Sequence, residues 1–592
     1  MHYLRRWIDT APRTPWSTEK QITKASVKKL RARLLTVLSL MLALSGGPAG
    51  PAAADGALAS WEETPVEAVR VVVTDLPSSP ERSAIEDRAR RALAIYPGST
   101  FRNLLLDWGI GKVRAIPGVV AVIPELTPGD TGGVVITLRV TFAPGTVGPQ
   151  PPSFPYLFQD ADSLLKLKLR SAGMVYANHD AWYGDPPAFV GANPLADAPS
   201  GRGWGTSAEG YTELGIQGIG PIGPSVYAYG SLSYILSGTV GQELFTDEPR
   251  GFGGIEDAFA GIVTGKTWED GSRLVVNLTA GRQPFQIADG MLIRLGAGNG
   301  FERATLQLNP RNAADNLFMA EARYNTARLQ LFQLDPDENE EIDTRTIING
   351  VNLDTGLGTA TQIGATYLNV PRSDYGYYTF TAVGTRAGLN VLDGRFYWLP
   401  TVEGVSGPYA KSEIAYQWND ENSFPMRAWG GYGEAGYTFA TLPWRPTVSY
   451  RLSHFTGDDP DTTTYERWDP LLSGGTPEEW VQGINHYKMF QDTNITASRF
   501  QARLRPAARW ELVPQFWLFS ASETNNLGGS LAQLASRPLG YEVNLTAKYF
   551  PSRNVYMQAG VAATFPRTGV TDAILSGLDP WISASALIRL SY

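Results

Sequence analysis

The chain has 592 residues, of which 43% are hydrophobic and 18% charged, with 62 glycines, no cysteine and a formal net charge of -8. The lack of cysteine excludes a disulfide scaffold and a thiolate metal site, and past the first 54 residues no apolar run approaches the roughly 20 residues of a membrane helix, so a membrane-spanning form of this chain must be a closed β-barrel. Residues 1–150 carry 18 basic and 13 acidic groups and the remainder 32 and 45, a balance that argues against nucleic acid as a partner of the main domain.

Near the start, Lys28, Lys29, Arg31 and Arg33 precede the apolar run Leu34–Leu44 and a small-residue stretch ending Ala52-Ala53-Ala54. A basic segment, a short apolar core and an A-x-A site make a secretory signal peptide, with cleavage expected after Ala54. The residues ahead of it are long for such a leader, and translation is expected to start nearer Val27. Residues 55–65 read as a short connector.

From 66 to 142 the chain reads as a small α/β unit. Val69–Thr74 is apolar enough for a buried strand. Ser79-Pro80-Glu81 supplies an N-cap, a first-turn proline and an early acid for a helix to about Ala94. A second helix is expected over Arg102–Arg114 with Leu104, Leu105, Trp108 and Val113 inward, followed by strands at Val119–Ile123 and Val134–Phe142. This β-α-α-β-β order, with IPGVVAV at Ile116–Val122, resembles a POTRA (polypeptide-transport-associated) domain. The resemblance implies a periplasmic module with exposed sheet edges on which another chain can add a strand, so a periplasmic export protein is expected to dock on residues 66–142.

Residues 143–155 are rich in proline and glycine and read as a linker. Beyond it, alternation begins at Leu164–Arg170, with Leu165, Leu167 and Leu169 facing one way and Lys166, Lys168 and Arg170 the other. The same period of two recurs at Tyr541–Phe550, at Val555–Phe565 and at Pro580–Tyr592, where Ile582, Ala584, Ala586, Ile588 and Leu590 share one face. Repeated alternating segments of about ten residues mark a transmembrane β-barrel. At about 24 to 27 residues per strand and connection, residues 156–592 make 16 to 18 antiparallel strands, and a barrel of that size holds an aqueous channel. The expected architecture is therefore all-β with a small N-terminal α/β domain, in contact with outer-membrane lipid. The aromatic Tyr592 on the last strand resembles the signal that such proteins present to the barrel-assembly machinery.

If the apolar face meets lipid, the alternate face is the lumen. On Ser498–Pro506 the inward set is Arg499, Gln501, Arg503 and Arg505, and parity places Arg303, Arg323, Arg328, Arg395 and Arg451 inward on their own segments. Together with Lys166, Lys168 and Arg170 these side chains define a candidate substrate path. A column of guanidinium groups suits a passing polyanion, since each can bind a carboxylate through two hydrogen bonds. The alternative is that they pair with Glu321, Glu413, Glu511 and Glu542 and brace the wall. Residues from about 275 to 530 resemble the alginate-export barrel family, through Ala280-Gly281-Arg282-Gln283, through Tyr450–Asp459 opening a long loop, and through Asn494–Phe519. The chain departs from that pattern after Gln283 and after Asp459, and parity turns Arg282 toward lipid unless a bulge intervenes. The resemblance implies a porin passing an acidic or sugar-like polysaccharide such as alginate. The rival is a POTRA-dependent polypeptide translocator, which places an arginine tripeptide late, whereas Arg250-Gly251-Phe252 sits early.

Asp335, Asp337, Asn339 and Glu341 alternate like calcium-loop ligands but lack the turn glycine and the closing glutamate, so a solvated external loop is expected. His454 and Ser453 are neighbours on a strand and point to opposite faces. With no nucleophile and base in register, neither an enzyme nor a cofactor is expected.

Overall fold

The computed structural model describes residues 61, 64, 66–74, 80–97, 99, 101–129, 133–143, 154–182, 203–241, 248–357, 360–379, 381–400, 404–527, 529, 533–573 and 578–592. The expected leader, 1–54, lies outside the described residues, as do most of the connector and linker. Residues 51–592 form one compact unit.

Its first elements are β1 (Val66–Thr74), α1 (Pro80–Leu93), α2 (Asn103–Arg114), β2 (Val119–Pro128) and β3 (Val134–Phe142). The central strand β3 runs parallel to β1 and antiparallel to β2. Alternate residues Ile136, Leu138 and Val140 bury one sheet face against Ile85 and Ala89 of α1 and Leu106, Ile110 and Val113 of α2. The inward face expected for α2 is therefore corrected. Leu105 is exposed and Trp108 turns elsewhere, because α2 is covered on two sides, by its own sheet and by the barrel.

The barrel begins with a short strand, β4 (Tyr156–Gln159), and continues through β5 (Leu164–His179), β6 (Trp204–Gly223), β7 (Val226–Gly241), β8 (Arg250–Thr267), β9 (Arg273–Arg282), β10 (Asn316–Tyr324), β11 (Ala327–Asp335), β12 (Ile347–Leu357) and β13 (Thr361–Arg372). A loop hairpin, β14 (Gly376–Tyr378) and β15 (Val383–Thr385), intervenes. The second half is β16 (Leu389–Trp398), β17 (Gly407–Asn419), β18 (Met426–Thr438), β19 (Thr447–Phe455), β20 (Ile495–Ala507), β21 (Trp510–Ala521), β22 (Pro538–Ser552), β23 (Val555–Pro566) and β24 (Trp581–Ser591). Neighbouring strands pair antiparallel, and β24 pairs with β5 from Ile582↔His179 to Ser591↔Arg170. Among the described residues this closes a ring of 18 strands, the upper end of the expected range. Strand β4 adds to the edge of β5 just beyond the end of β24.

Alternation of polarity becomes alternation of environment. Along β19, Thr447, Ser449, Arg451, Ser453 and Phe455 are buried on the inside, while Val448, Tyr450 and Leu452 are exposed on the outside. Leu214, Leu278, Leu353, Ile414 and Leu545 continue the outer apolar belt around the ring. Trp268, Trp398 and Trp510 lie near the short-turn end of the outer surface, and Trp204 and Trp429 near the other. An apolar band between aromatic girdles is the lipid-facing surface of a membrane-spanning barrel. Among the described residues no helix is long and apolar enough to cross a membrane.

Connections at the end nearer the α/β domain are short, and most of those at the other end are longer. Two of the long ones fold into the ring. In residues 283–315, the Gln307 and Leu308 amides donate to Glu209 and those of Asn312 and Ala313 to Glu256. In residues 456–494, the Ile484, Asn485 and His486 amides donate to Glu542. The loops also meet, since the Leu472 amide donates to the Leu292 carbonyl and the Gly474 amide to that of Gly290. Their Phe285, Met291, Trp468 and Trp480 form one apolar cluster with inward Phe332, Phe455 and Trp517.

Candidate functional site

The lumen wall is built from the inward set of each strand, and most of its charges meet a partner. Lys168 lies against Glu213 and Asp257, and Arg170 against Glu213 and the Pro310 carbonyl. Lys166 is buried against Asp107 of α2, at 2.6 Å. Arg395 holds Asp393 and, at 3.0 Å, Asp354. Asp354 also takes Arg328 at 2.7 Å. Arg323 stands directly opposite Arg328 in register. Both are partly exposed, and the Asp354 side chain keeps 27% of its surface, so this part of the wall stays open to water.

The arginine column on β19 and β20 points inward as parity requires, but the 456–494 loop covers its upper members. Arg451 is fully buried and donates to the carbonyls of Pro477, Glu479 and Val481. Arg499 pairs with Glu434 at 2.7 Å and donates to the Pro477 and Glu478 carbonyls at 2.8 and 3.0 Å. Lower down, Arg503 meets Glu511 at 3.0 Å. Arg505 lies 3.7 Å from the same carboxylate and donates to the Gly129 carbonyl at 2.8 Å. Of the acids weighed as braces, Glu511 pairs with arginine, Glu542 caps loop amides and Glu413 accepts from the Tyr397 hydroxyl.

Two placements differ from parity. Arg303 is on no strand; it sits in the single 3-10 turn Phe301–Arg303 of the first inward loop and reaches Asp337 at 3.1 Å. Arg282 ends its strand beside Gly281, at φ 118, and pairs with Asp315 and Asp337 rather than facing lipid. The calcium-like run does not gather. Asp337 receives Arg282, Arg303 and Arg311, and among the described residues no group of three or more His, Asp or Glu is placed to hold a metal. Burial, the largest influence on Asp337, pushes its carboxyl up but is outweighed by those three guanidiniums, which hold it below the usual range.

A second loop anchor was missed altogether. Asp469 accepts both arms of Arg386, at 2.6 and 2.7 Å, and the Tyr377 hydroxyl at 2.6 Å, all buried. Burial again pushes the Asp469 carboxyl up, and Arg386 outweighs it. Both residues lie in connections, where no strand parity marks them. Parity could have found Glu209, Glu213 and Glu434, each on the inward set of its strand. His486 is stacked on Phe519 at 3.8 Å, and burial drives its pKa down to about 3, so it is a neutral packing residue. His454 bonds Thr496 on the outer face.

No family model matches this sequence. No curated protein matches it. The BenF-like porin of Pseudomonas fluorescens Pf-5 superposes with a TM-score of 0.43 at 10% identity, covering 72% of this chain and 98% of that one. OccK5 (OpdH) of Pseudomonas aeruginosa gives 0.44 at 12%, covering 73% and 98%, and OccAB2 of Acinetobacter baumannii 0.41 at 10%, covering 72% and 98%. With scores this low the barrel stands on the strand pairing of this chain alone.

Proposed function

We propose that the protein is an outer-membrane porin whose solute is acidic or sugar-like, an anionic polysaccharide such as alginate being the candidate that the motif resemblance names. The observation that carries this is the open stretch of wall at Arg323, Arg328 and Asp354, where cations stand beside a carboxylate in reach of water. Mixed, hydrogen-bonding charge lets a polar solute exchange partners without being trapped. The α/β domain, at the short-turn end, would lie in the periplasm, with its sheet edges available to an export partner. Against a polypeptide translocator stands Arg250, whose guanidinium is engaged by the Phe301 carbonyl of the inward loop.

Single-channel conductance of the refolded protein in a salt gradient tests this. An anion-preferring channel blocked by uronate oligomers is expected, with Arg323→Ser and Arg328→Ser together weakening that preference. A barrel that conducts without responding to acidic or neutral oligosaccharides would remove the sugar-like solute.

A further inference from the structure

The α/β domain is seated on the short-turn mouth through side chains that face the lumen. Asp107, on the side of α2 away from its sheet, is buried; it accepts from the Tyr156 hydroxyl at 2.9 Å and from Lys166 at 2.6 Å, and Arg553 stands 3.6 Å away. Trp61 stacks on Phe550 at 5.2 Å, and Phe550 and Tyr556 of the inward wall belong to the domain's own hydrophobic cluster. Across the mouth, Arg273 donates to the Tyr96 hydroxyl at 2.6 Å, and Arg505 to the Gly129 carbonyl at 2.8 Å. Counted around the ring, Arg273 on β9 and Arg505 on β20 lie on nearly opposite sides. Lys112 lies 3.6 Å from the Trp108 ring centre and 4.9 Å from that of Tyr227, in the β6–β7 hairpin.

From these contacts we infer that the docked α/β domain sets the size of solute the barrel admits, with the Asp107–Lys166 pair as its latch. This rests on the porin reading. A domain bridging opposite sides of the ring, with its contacts made to lumen-facing groups, narrows the mouth for anything larger than a small ion. The latch is a buried ion pair, and losing one partner leaves the other uncompensated, which destabilises the docked state strongly. The rest of the interface is mixed in character and resembles a contact between domains that can separate.

The test uses the full chain, which has no native cysteine. Lys112→Cys and Tyr227→Cys are bridged by a short, reducible bis-maleimide, and the conductance is titrated with polyethylene glycols of graded mass. The bridged channel is expected to exclude small polymers and the reduced one, carrying Asp107→Asn in addition, to admit larger ones. In that latch variant, bridging itself should slow on the order of tenfold or more, because the two cysteines spend less time together. An equal size limit in the bridged and released states of a conducting barrel overturns the inference and leaves the porin standing. If neither state conducts, the porin falls and the size limit with it.

Discussion

At the scale of single residues, the charges inside this barrel act first as anchors. Arg386 and Asp469 fix the second inward loop through a buried two-armed contact, so Asp469→Asn, which leaves the guanidinium uncompensated, should destabilise the loop by about 3 to 5 kcal/mol. Limited proteolysis within 456–494 reads this. Because its folded pKa is depressed, the Asp469 contribution is complete above the unfolded carboxylate value of about 3.9. It is lost as pH falls through the lower folded value, so cleavage should rise in acid below about pH 4. Arg499→Ser should likewise loosen the loop, since that guanidinium holds the Pro477 and Glu478 carbonyls. A change in ion selectivity with the loop still protected would show that Arg499 faces the permeating solute instead.

At the scale of elements, the strands obey a rule that substitution can check. Leu545 lies on the outer face of β22, with buried Asn544 and Thr546 on either side. Leu545→Arg should therefore cost about 2 to 4 kcal/mol if the site is near the bilayer midplane, measured by urea unfolding in lipid vesicles; Thr546→Arg should respond differently, as a lumen substitution. The barrel strands and the α/β order were legible because period two and helix-boundary signals are local. The inward loops were not. Phe285 to Ile293 carries the same apolar density as a strand, and only contact with a distant loop, through Leu292 and Leu472, decides where it goes. Arg303 was misplaced for the same reason, because parity presumes a strand. Trp108 shows a related failure on α2, where helical periodicity cannot tell a face buried on its own sheet from one buried on the barrel mouth.

At the scale of the whole molecule, closure rests on the pairing of β5 with β24, whose Cα partners include Ala586 and Val175. A proline cannot donate to a ladder and is excluded from central strands, so Ala586→Pro should abolish the heat-resistant folded band in cold detergent electrophoresis. An unchanged band would place closure elsewhere.

That seam also dictates an order of assembly. Its partners, such as Arg170 and Ser591, are separated by nearly the full length of the barrel segment, and contacts of such long range form late because of the chain entropy they must overcome. The α/β domain is made before the barrel, yet its seat includes Phe550 and Tyr556 from the β22–β23 hairpin and packs against Leu587 of β24. Lys166 and Arg273 offer part of that seat earlier, but the seat is complete only when the final strands are in place. A domain made before the barrel is thus fully seated only after it, and its complete seating records that the ring is closed.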